Sequence, residues 1–493
     1  MAPRPLASTH APLRSERRNE LGHHRRPATK LVAEELGRGN RRIRYLLRDD
    51  GGMEAESEAI SHEQALLDVV TAWLLPAGFP ESCSPQVGPY MFWRSIQYAF
   101  GGAISVLTTR SLLTSLGVAK SYAGETGAAI NWVIKDGAGR MGRALFARIG
   151  GRSLDDKAKQ WRLLGDGLMF AGAVGELSTS LLPQLFLPIA CAANVAKNMA
   201  VVAASATRAP IYRTFALQNN LADITAKGES IANLSDVVGT AFGILLTRSK
   251  RVSTVPAFAI LSVGYLVSSR LEVSTVELPY FNKARLGLAI DEYLRSGIVP
   301  GISEINAREP MLPWNPKYLR TTRVVLGASI AEACDGAEDL ERALADTPIS
   351  SNSVLTYRSI GAKNSRKRVV VYVMLKRRAG GSNGSRTHAA YEGCFKGLIL
   401  QHVLDQGASF PPRSRAQRAW ERIVANGKTE QMQRTNAANG EDDRAGQDFS
   451  QLEARFVAEH SHELFLDFDR KARSVGWKTR LTTLNTKESR LMA

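Results

Sequence analysis

The sequence has few cysteines, and none of them stands in the pairs that metal binding or redox chemistry uses. The four in 493 residues are Cys83, Cys191, Cys334 and Cys394, and no CxxC occurs. This pattern indicates neither a zinc knuckle nor a disulfide scaffold. A reducing compartment inside the cell is therefore the expected environment.

Two signatures of common enzyme classes are also missing. The chain contains no HExxH and no GxxxxGK[ST], so a zinc hydrolase or a P-loop nucleotide triphosphatase has no anchor in the sequence. No metal site is predicted, the cofactor stays unknown, and the balance leans against an enzyme. The start of the chain lacks the apolar core of a secretory signal peptide. Its Arg, Ser, Thr and Pro content leaves a plastid or mitochondrial transit function open, although several glutamates argue against it.

Acidic residues are scarce relative to basic ones, since 64 Lys and Arg face 47 Asp and Glu, a formal net charge of +17. Such a charge suits nucleic acid or an anionic membrane surface. Many of the bases lie in peripheral segments: residues 1–50 hold twelve of them, and residues 363–378 hold seven without an acid. Solvated tails and loops are the simplest interpretation. We expect membrane lipid as a partner, consider a protein partner open, and do not expect nucleic acid.

What the sequence has instead is long uncharged stretches. Membrane helices are predicted near 95–116, 177–206 and 253–270, because their uncharged cores approach the length of a bilayer span. Pro183 and Pro188 interrupt the second stretch, so one straight helix is not expected there. The competing interpretation is a soluble bundle whose buried helices are apolar on every side.

The fold class expected from these patterns is mainly α. A basic, disordered tail is predicted for 1–60 and a helical, membrane-compatible domain for 61–310, with helical runs at Tyr90–Leu116 and from Ser121 onwards. Four prolines between 300 and 316 then mark a boundary. A smaller α/β domain is predicted for 318–485. It contains a strand at Arg368–Leu375 and a disordered insertion at about 407–450.

The stretch Gly137-Ala-Gly-Arg-Met-Gly142 fits the GxGxxG pattern of dinucleotide-binding folds. That interpretation requires a strand before the glycines and a βαβ pattern after them, and no βαβ pattern follows. A glycine-rich turn between packed helices is the preferred interpretation. The alternative function, a dinucleotide- or phosphometabolite-binding protein or enzyme, would use this stretch together with Arg140 and Arg143.

Charged and amide residues interrupt the Ala-, Gly- and Leu-rich runs between 130 and 239. We predict that they form one connected polar site inside the helical domain, because charges beside apolar helices are costly unless they are paired. Six bases face four acids in this set, and the surplus leaves room for an anionic ligand. The candidates are Lys135, Asp136, Asp155, Lys159, Arg162, Asp166, Lys197, Arg208, Asn220, Asp223 and Lys227. An ion-pair network without a ligand is the alternative interpretation.

Several short segments, taken in order, resemble the ROOT UVB SENSITIVE protein family, a eukaryotic family prominent in plants. The matching segments are Leu75-Pro-Ala-Gly-Phe-Pro80, Trp132-Val-Ile-Lys-Asp-Gly-Ala-Gly139, Leu154-Asp155 with Lys159 and Trp161-Arg162, Asp166, Ala206-Thr-Arg208, Asn220 with Ala222-Asp223, and Ala226-Lys227. The resemblance covers residues 75–310 and is weaker beyond them. Two positions depart from the family pattern, at Ala209-Pro210 and at Gly228-Glu-Ser-Ile-Ala232.

The resemblance implies a largely helical domain and a frequent membrane assignment. For plant members it also implies a role in early development and in light-stress responses. It implies no established reaction, and it does not treat the glycine-rich stretch as a nucleotide site. A membrane-associated, non-enzymatic protein in an intracellular membrane is therefore the expectation.

Overall fold

In the computed structural model the chain divides into two compact units, Met1–Trp73 and Leu74–Ala493. The structure describes residues 30–36, 41–47, 53–57, 71, 73–249, 252–312, 323–345, 347, 352–360, 368–377, 383–406, 410–422, 442–481, 484 and 491–492. The two units are described separately below.

The first unit contains a three-stranded antiparallel sheet in the order β1-β2-β3. Its strands are Lys30–Leu36, Arg41–Leu47 and Met53–Ser57. They lie within the segment for which the sequence predicted disorder, so that prediction is wrong for these residues. The charges that suggested disorder occupy opposed positions in the sheet, with Glu35 opposite Arg42, an arrangement that favours strand pairing. Residues 1–29 of the predicted tail lie outside the described part of the chain.

The second unit begins with five long helices. They are α1 (Val87–Asp156), α2 (Ala158–Ser178), α3 (Phe186–Phe215), α4 (Leu221–Arg248) and α5 (Thr254–Ser274). The two shorter helices α6 (Lys283–Ser296) and α7 (Ile302–Arg308) follow. The mainly α fold class predicted from the sequence is confirmed.

Helix α1 turns back on itself. A straight helix of 70 residues would be about 105 Å long. Yet Arg94, near its start, and Arg162, six residues beyond its end, both contact Glu272, at 3.6 and 3.3 Å. We call residues 87–116 the first arm of α1 and residues 126–156 the second arm. The two helical runs predicted here thus correspond to two arms of one continuous helical segment.

Contacts at both ends of the helices fix their directions. The first arm and α2 run parallel, because Gln97 bonds to Arg162 at one end and Ser115 bonds to Thr179 at the other. The first arm and α4 are also parallel. Arg110, near the end of the arm, donates to the carbonyl of Thr247, which lies at the end of α4.

The remaining helices run the opposite way. Gly172 packs on Ala193 and Gly165 on Ala203, which makes α3 antiparallel to α2. The second arm lies along α3, with Phe146 in a cluster with Ala203. The outcome is an up-and-down bundle of six helical segments, in which α4 and the second arm of α1 lie on opposite sides.

The C-terminal part is a smaller α/β layer. Strands β4 (Val324–Leu326), β5 (Ser353–Ile360), β6 (Arg368–Arg377) and β7 (Leu491–Met492) form a sheet in which β6 is central. Strand β5 pairs antiparallel with β6, and β4 and β7 pair parallel with it. The short helices are α8 (Ile330–Ala333) and α9 (Ala337–Ala345), and the long ones are α10 (Asn383–Gln406) and α11 (Asp442–Ser474). The strand predicted at Arg368–Leu375 is β6.

Two boundaries differ from the sequence prediction. Helix α6, placed in the helical domain by sequence, contributes Leu286 and Ile290 to the same hydrophobic core as β6, α10 and α11. Within the predicted disordered insertion, residues 415–422 are helical and α11 begins at Asp442. The helix at 415–422 is held in place by Trp420, which is buried against Phe410 and Phe456. The rest of the insertion lies outside the described residues.

Candidate functional site

A buried network of charges lies at one end of the helical bundle, centred on Glu272 near the end of α5. Glu272 is fully buried and lies between two buried guanidinium groups, that of Arg94 from the first arm of α1 and that of Arg162 from α2. The guanidinium group of Arg162 also lies 3.6 Å from the carboxylate of Asp166, one turn along the same helix. Burial of this kind is tolerated when each charge has an opposite charge and hydrogen bonds.

Neighbouring helices complete this network. Asp166 accepts hydrogen bonds from the hydroxyls of Ser269, at 2.6 Å, and Tyr265, at 3.2 Å, both from α5. Towards the surface, Glu229 of α4 pairs with Arg94 and, at 2.9 Å, with Arg208 of α3. Three guanidinium groups therefore meet three carboxylates, and the network is electrically balanced.

A second buried network joins the start of α2 to the segment after α5. Glu309 receives two hydrogen bonds from Arg285, at 2.9 and 3.0 Å, and one from Asn282 at 2.9 Å. Lys159 lies 3.6 Å from Glu309 and donates to Asn306 at 2.8 Å. These cations and donors lower the pKa of Glu309 to about 2, overcoming the burial that acts in the opposite direction.

Asp156 lies at the edge of the second network in a less favourable setting. It is buried, and its Oδ1 has no hydrogen-bond partner among the described residues. Burial raises its pKa to about 6, although Lys283 and Lys157 oppose the shift. Ionisation of this carboxyl therefore acts against the folded state.

Substitution of Asp156 by asparagine is expected to flatten the pH dependence of stability between pH 4 and 7. With the folded-state pKa raised, this carboxyl contributes stability that is complete below its unfolded pKa and is lost as the pH rises through 6. Wild type should lose on the order of 2 kcal/mol across this window through Asp156. Melting temperatures at several pH values would show it. Glu338→Gln, at an exposed carboxyl, should keep the wild-type slope; an equal slope in D156N would contradict the assignment.

Three further groups of candidate residues lie elsewhere in the bundle. Lys135 pairs with Asp136 at 2.8 Å and lies over the ring of Trp132. Lys197 of α3 forms a short ion pair with Glu176 of α2. Both lysines are thus held by local partners.

The remaining candidates lie at or near the start of α4. The Asn220 side chain donates to the Ser82 carbonyl at 3.1 Å, and Asp223 accepts from the Ala77 backbone amide at 2.6 Å. These bonds tie α4 to the loop before α1. Lys227 is half-buried one turn further on. Asp155 lies outside the residues whose side chains the structure describes.

The hydrogen bonds and ion pairs of the described residues divide the candidates among several networks. Arg162, Asp166 and Arg208 come together around Glu272, whereas Lys159 belongs to the Glu309 network. The surplus of bases also disappears, because the bases find acids outside the predicted set. Those acids are Glu176, Glu229, Glu272 and Glu309. The balance of charge favours the interpretation as ion-pair networks over an anion site.

Sequence reasoning missed Arg94 and Glu272, the two most buried charges of the first network. Both stand next to long uncharged runs, where a charge at the edge suggests a helix end in water. The available signal was that neither residue has an opposite charge three or four positions away, the spacing at which a helix pairs charges. They meet because α5 packs against the first arm of α1.

The stretch 137–142 lies in the middle of the second arm of α1, so the strand and turn of a dinucleotide fold are not present there. A side chain at Gly139 would collide with the amide groups of Asn194 and Asn198, and one at Gly142 would meet Val195 at 2.8 Å. These glycines let α3 approach closely. The dinucleotide alternative is therefore not favoured.

Alanine at Gly139 is expected to destabilise the protein by about 1–3 kcal/mol, since the asparagines of α3 must move. Gly137 is the matched control, because a Cβ there would meet nothing within 4 Å. Alanine at Gly137 should stabilise the helix by up to about 1 kcal/mol. Unfolding of the two purified variants measures both. Equal effects would contradict the packing role of Gly139.

Comparison with known proteins gives the family. A family model described as "Vitamin B6 photo-protection and homoeostasis domain" matches residues 60–297. Protein root UVB sensitive 6 of Arabidopsis thaliana is 38% identical over 397 residues, covering 78% of this chain and 75% of that protein. Protein root UVB sensitive 2, chloroplastic, of the same plant is 34% identical, covering 55% and 63%.

The similarity extends beyond plants. RUS family member 1 of Dictyostelium discoideum is 32% identical over 262 residues, covering 52% of this chain and 50% of that protein. No solved structure matches. Residues 60–297, which the family model matches, include the whole Glu272 network but not Glu309 of the second network. The chain belongs to the root UVB sensitive family.

Proposed function

We propose that this chain is an integral membrane protein of the root UVB sensitive family that acts without catalysing a reaction, in an intracellular membrane such as that of a plastid or mitochondrion. The observation that carries the proposal is the outer surface of α4 and α5. Large apolar side chains there are 46–71% exposed. They are Leu234, Val237, Val238, Phe242, Ile244, Leu245, Val255, Ile260, Val263 and Val267. Exposed apolar surface on this scale is typical of contact with lipid or with another protein.

Length and composition support the same proposal. Three segments are long and apolar enough to cross a bilayer: Pro183–Phe215, Leu221–Arg248 and Thr254–Ser274. The first and third overlap stretches proposed from sequence, and the second is new. Only 17% of the most apolar window of α4 is buried. An apolar helix with so little cover is unstable in water and stable in hydrocarbon.

The arrangement of charges is compatible with insertion. The network around Glu272 keeps its guanidinium groups inside the bundle, and Arg94 and Glu272 are both fully buried. Three bases lie at the end of α4 and just after it in the sequence: Arg248, Lys250 and Arg251. Bases at such a turn favour the side of the membrane where positive charge is retained. We propose a hairpin of α4 and α5 with its turn on that side.

The biological role is proposed from the family. The matched model is described by vitamin B6 photo-protection and homoeostasis, and the plant relatives are named for sensitivity of the root to UVB light. We propose that this chain acts in the same responses to light stress and in development. One relative is named chloroplastic, which supports a plastid among the candidate locations. The balanced ion pairs support a structural role for the buried charges.

Alkaline carbonate extraction of cell membranes tests the integral assignment. The wild-type chain is expected to remain in the pellet. Arginine at Val263, which is 63% exposed on α5, should shift it towards the supernatant or reduce its accumulation, because a charge in hydrocarbon is costly. Leu481→Arg is the control, since Leu481 is 59% exposed but outside the bundle helices. Release of wild type into the supernatant would reject the integral assignment.

A further inference from the structure

Two oppositely charged residues lie unpaired on opposite sides of the helical bundle. Asp236 is in the middle of α4 and Arg140 is in the middle of the second arm of α1, and both side chains are exposed. Among the described residues, no hydrogen bond or ion pair is formed by either side chain. This contrasts with Arg94, Arg162 and Glu272, which all have ionic partners.

The helices around these two residues have complementary charge. Residues 137–154 hold four arginines and no acid. Residues 228–247 of α4 hold two acids and no base. The middle part of the second arm is therefore basic, and the middle part of α4 is acidic.

Both surfaces also expose large apolar side chains. Around Asp236, α4 exposes Val237 and Val238 by 64% and 60%. The second arm of α1 exposes Val133 by 69% and Met141 by 65% on either side of Arg140. A charge without a partner beside apolar side chains is costly in a membrane and gains from an opposite charge on a facing helix. The exposed acid of α4 and the exposed base of the second arm can thus neutralise each other.

The two charges also lie at a similar height in the bundle. On the acidic side, a side chain at Gly102 in the first arm of α1 would touch Asp236, which places the carboxylate beside that arm. Five residues earlier on the arm, Gln97 bonds to Arg162 at the start of α2. The acidic side is thereby aligned with α2.

The height of Asp236 in the bundle can be compared with that of Arg140 through the contacts of α2 and α3. Gly165 of α2 lies against Ala200 of α3, and Asn198 of α3 accepts from Arg143, one turn after Arg140. By the rise of an α-helix, the heights of Asp236 and Arg140 agree within about 10 Å. Two bundles side by side can therefore bring them together with their helices aligned.

We propose that α4 of one copy of this chain docks against the second arm of α1 of another copy, with Asp236 paired to Arg140 across the interface. The occupant of each surface is thus a second copy. The contact joins two different surfaces, so it repeats from copy to copy in a closed ring or an open chain. The proposal stands on charge and exposure and holds in detergent as well as in a bilayer.

A charge exchange tests the pairing. The full chain is purified in mild detergent, and its assembly state is measured by light scattering with the detergent contribution subtracted. Wild type is expected to self-associate. Asp236→Arg and Arg140→Asp should each weaken self-association by on the order of tenfold or more, because like charges then meet. The double exchange should restore it.

The exposed ion pair of Asp339 and Arg342, 2.9 Å apart on α9, provides matched control exchanges. Those variants should assemble like wild type. A monomeric wild type, single variants that assemble normally, or a double exchange that does not recover would each overturn the proposal.

Cross-linking keeps the test valid if a reversed charge prevents folding. Copies carrying Asp236→Cys and copies carrying Arg140→Cys, with different tags, are co-expressed and treated with a short bismaleimide. A cross-linked pair carrying both tags is expected. The same treatment of two wild-type copies gives the background from the four native cysteines, three of which are buried. No product above this background would overturn the proposal. Carbonate extraction remains a separate readout, so loss of membrane integration and loss of self-association are distinguishable.

Discussion

Replacing Glu272 by alanine is expected to cost about 3–5 kcal/mol of folding stability, the range for removal of one member of a buried ion pair. The carboxylate is fully buried and lies between Arg94 and Arg162, so its loss leaves two buried guanidinium groups facing each other. Both the lost attraction and the new repulsion act in the same direction. Thermal unfolding of the purified chain in detergent measures the effect.

The matched control is Glu304→Ala. Glu304 also pairs with an arginine, Arg308 at 3.1 Å, but it is 57% exposed. Removal of an exposed pair should change stability by less than about 1 kcal/mol. If Glu272→Ala behaves like this control, Glu272 does not hold the two arginines in the folded state.

The stability loss on substitution of Arg208 should lie between those of Glu272→Ala and Glu304→Ala. Its side chain is 25% exposed and its partner Glu229 is 36% exposed. We therefore expect Arg208→Ala to cost roughly 1 kcal/mol, close to the value for exposed pairs.

Removal of Glu309 is the second substitution with a large expected effect. Its carboxylate is buried and holds Arg285, Asn282 and Lys159. Glu309→Ala leaves two buried cations without their anion, and the expected loss is again about 3–5 kcal/mol. Loss of the Glu309 carboxylate should loosen the attachment of α6 to the start of α2, because Arg285 belongs to α6 and Lys159 to α2.

Acid should mimic this substitution. The pKa of Glu309 is lowered to about 2 in the folded protein, so the carboxylate contributes stability that is present above its unfolded pKa. That contribution is lost as the pH falls from about 4.5 towards 2. Wild type should lose stability across this window, whereas Glu309→Ala should lose less. Glu292, which is 32% exposed, supplies the control substitution Glu292→Ala, expected to keep the wild-type acid response. Parallel acid curves for wild type and Glu309→Ala would contradict the role of Glu309.

Much of the fold could be predicted from the sequence because it depends on local signals. The uncharged run after Arg94 indicates a helix, and the β-branched run of β6 indicates a strand. Ion pairs within a helix, such as Arg162 with Asp166, also follow from spacing. The family resemblance rested on such local segments and is confirmed.

The rest depends on contacts between residues far apart in the chain. Arg94 and Glu272 are separated by 178 positions, and they meet because α5 packs against the first arm of α1. The glycine-rich stretch was open to misinterpretation for the same reason. Its pattern matches a nucleotide loop, yet its partner is α3, and a pattern within one segment carries no information about the helix it packs on. The single polar site predicted from the family motif likewise divides between networks that only the fold defines.

Electron paramagnetic resonance on the reconstituted chain tests the central claim, membrane insertion of the α4–α5 hairpin, most directly. Spin labels are placed at Leu245, Ile260 and Val263, which are 64%, 71% and 63% exposed, and at Leu481 as a control. In lipid nanodiscs the account predicts that the three hairpin labels are relaxed by oxygen, which dissolves in hydrocarbon, and protected from a water-soluble nickel complex. The Leu481 label should show the reverse. Equal access of the nickel complex to all four labels would contradict insertion of the hairpin.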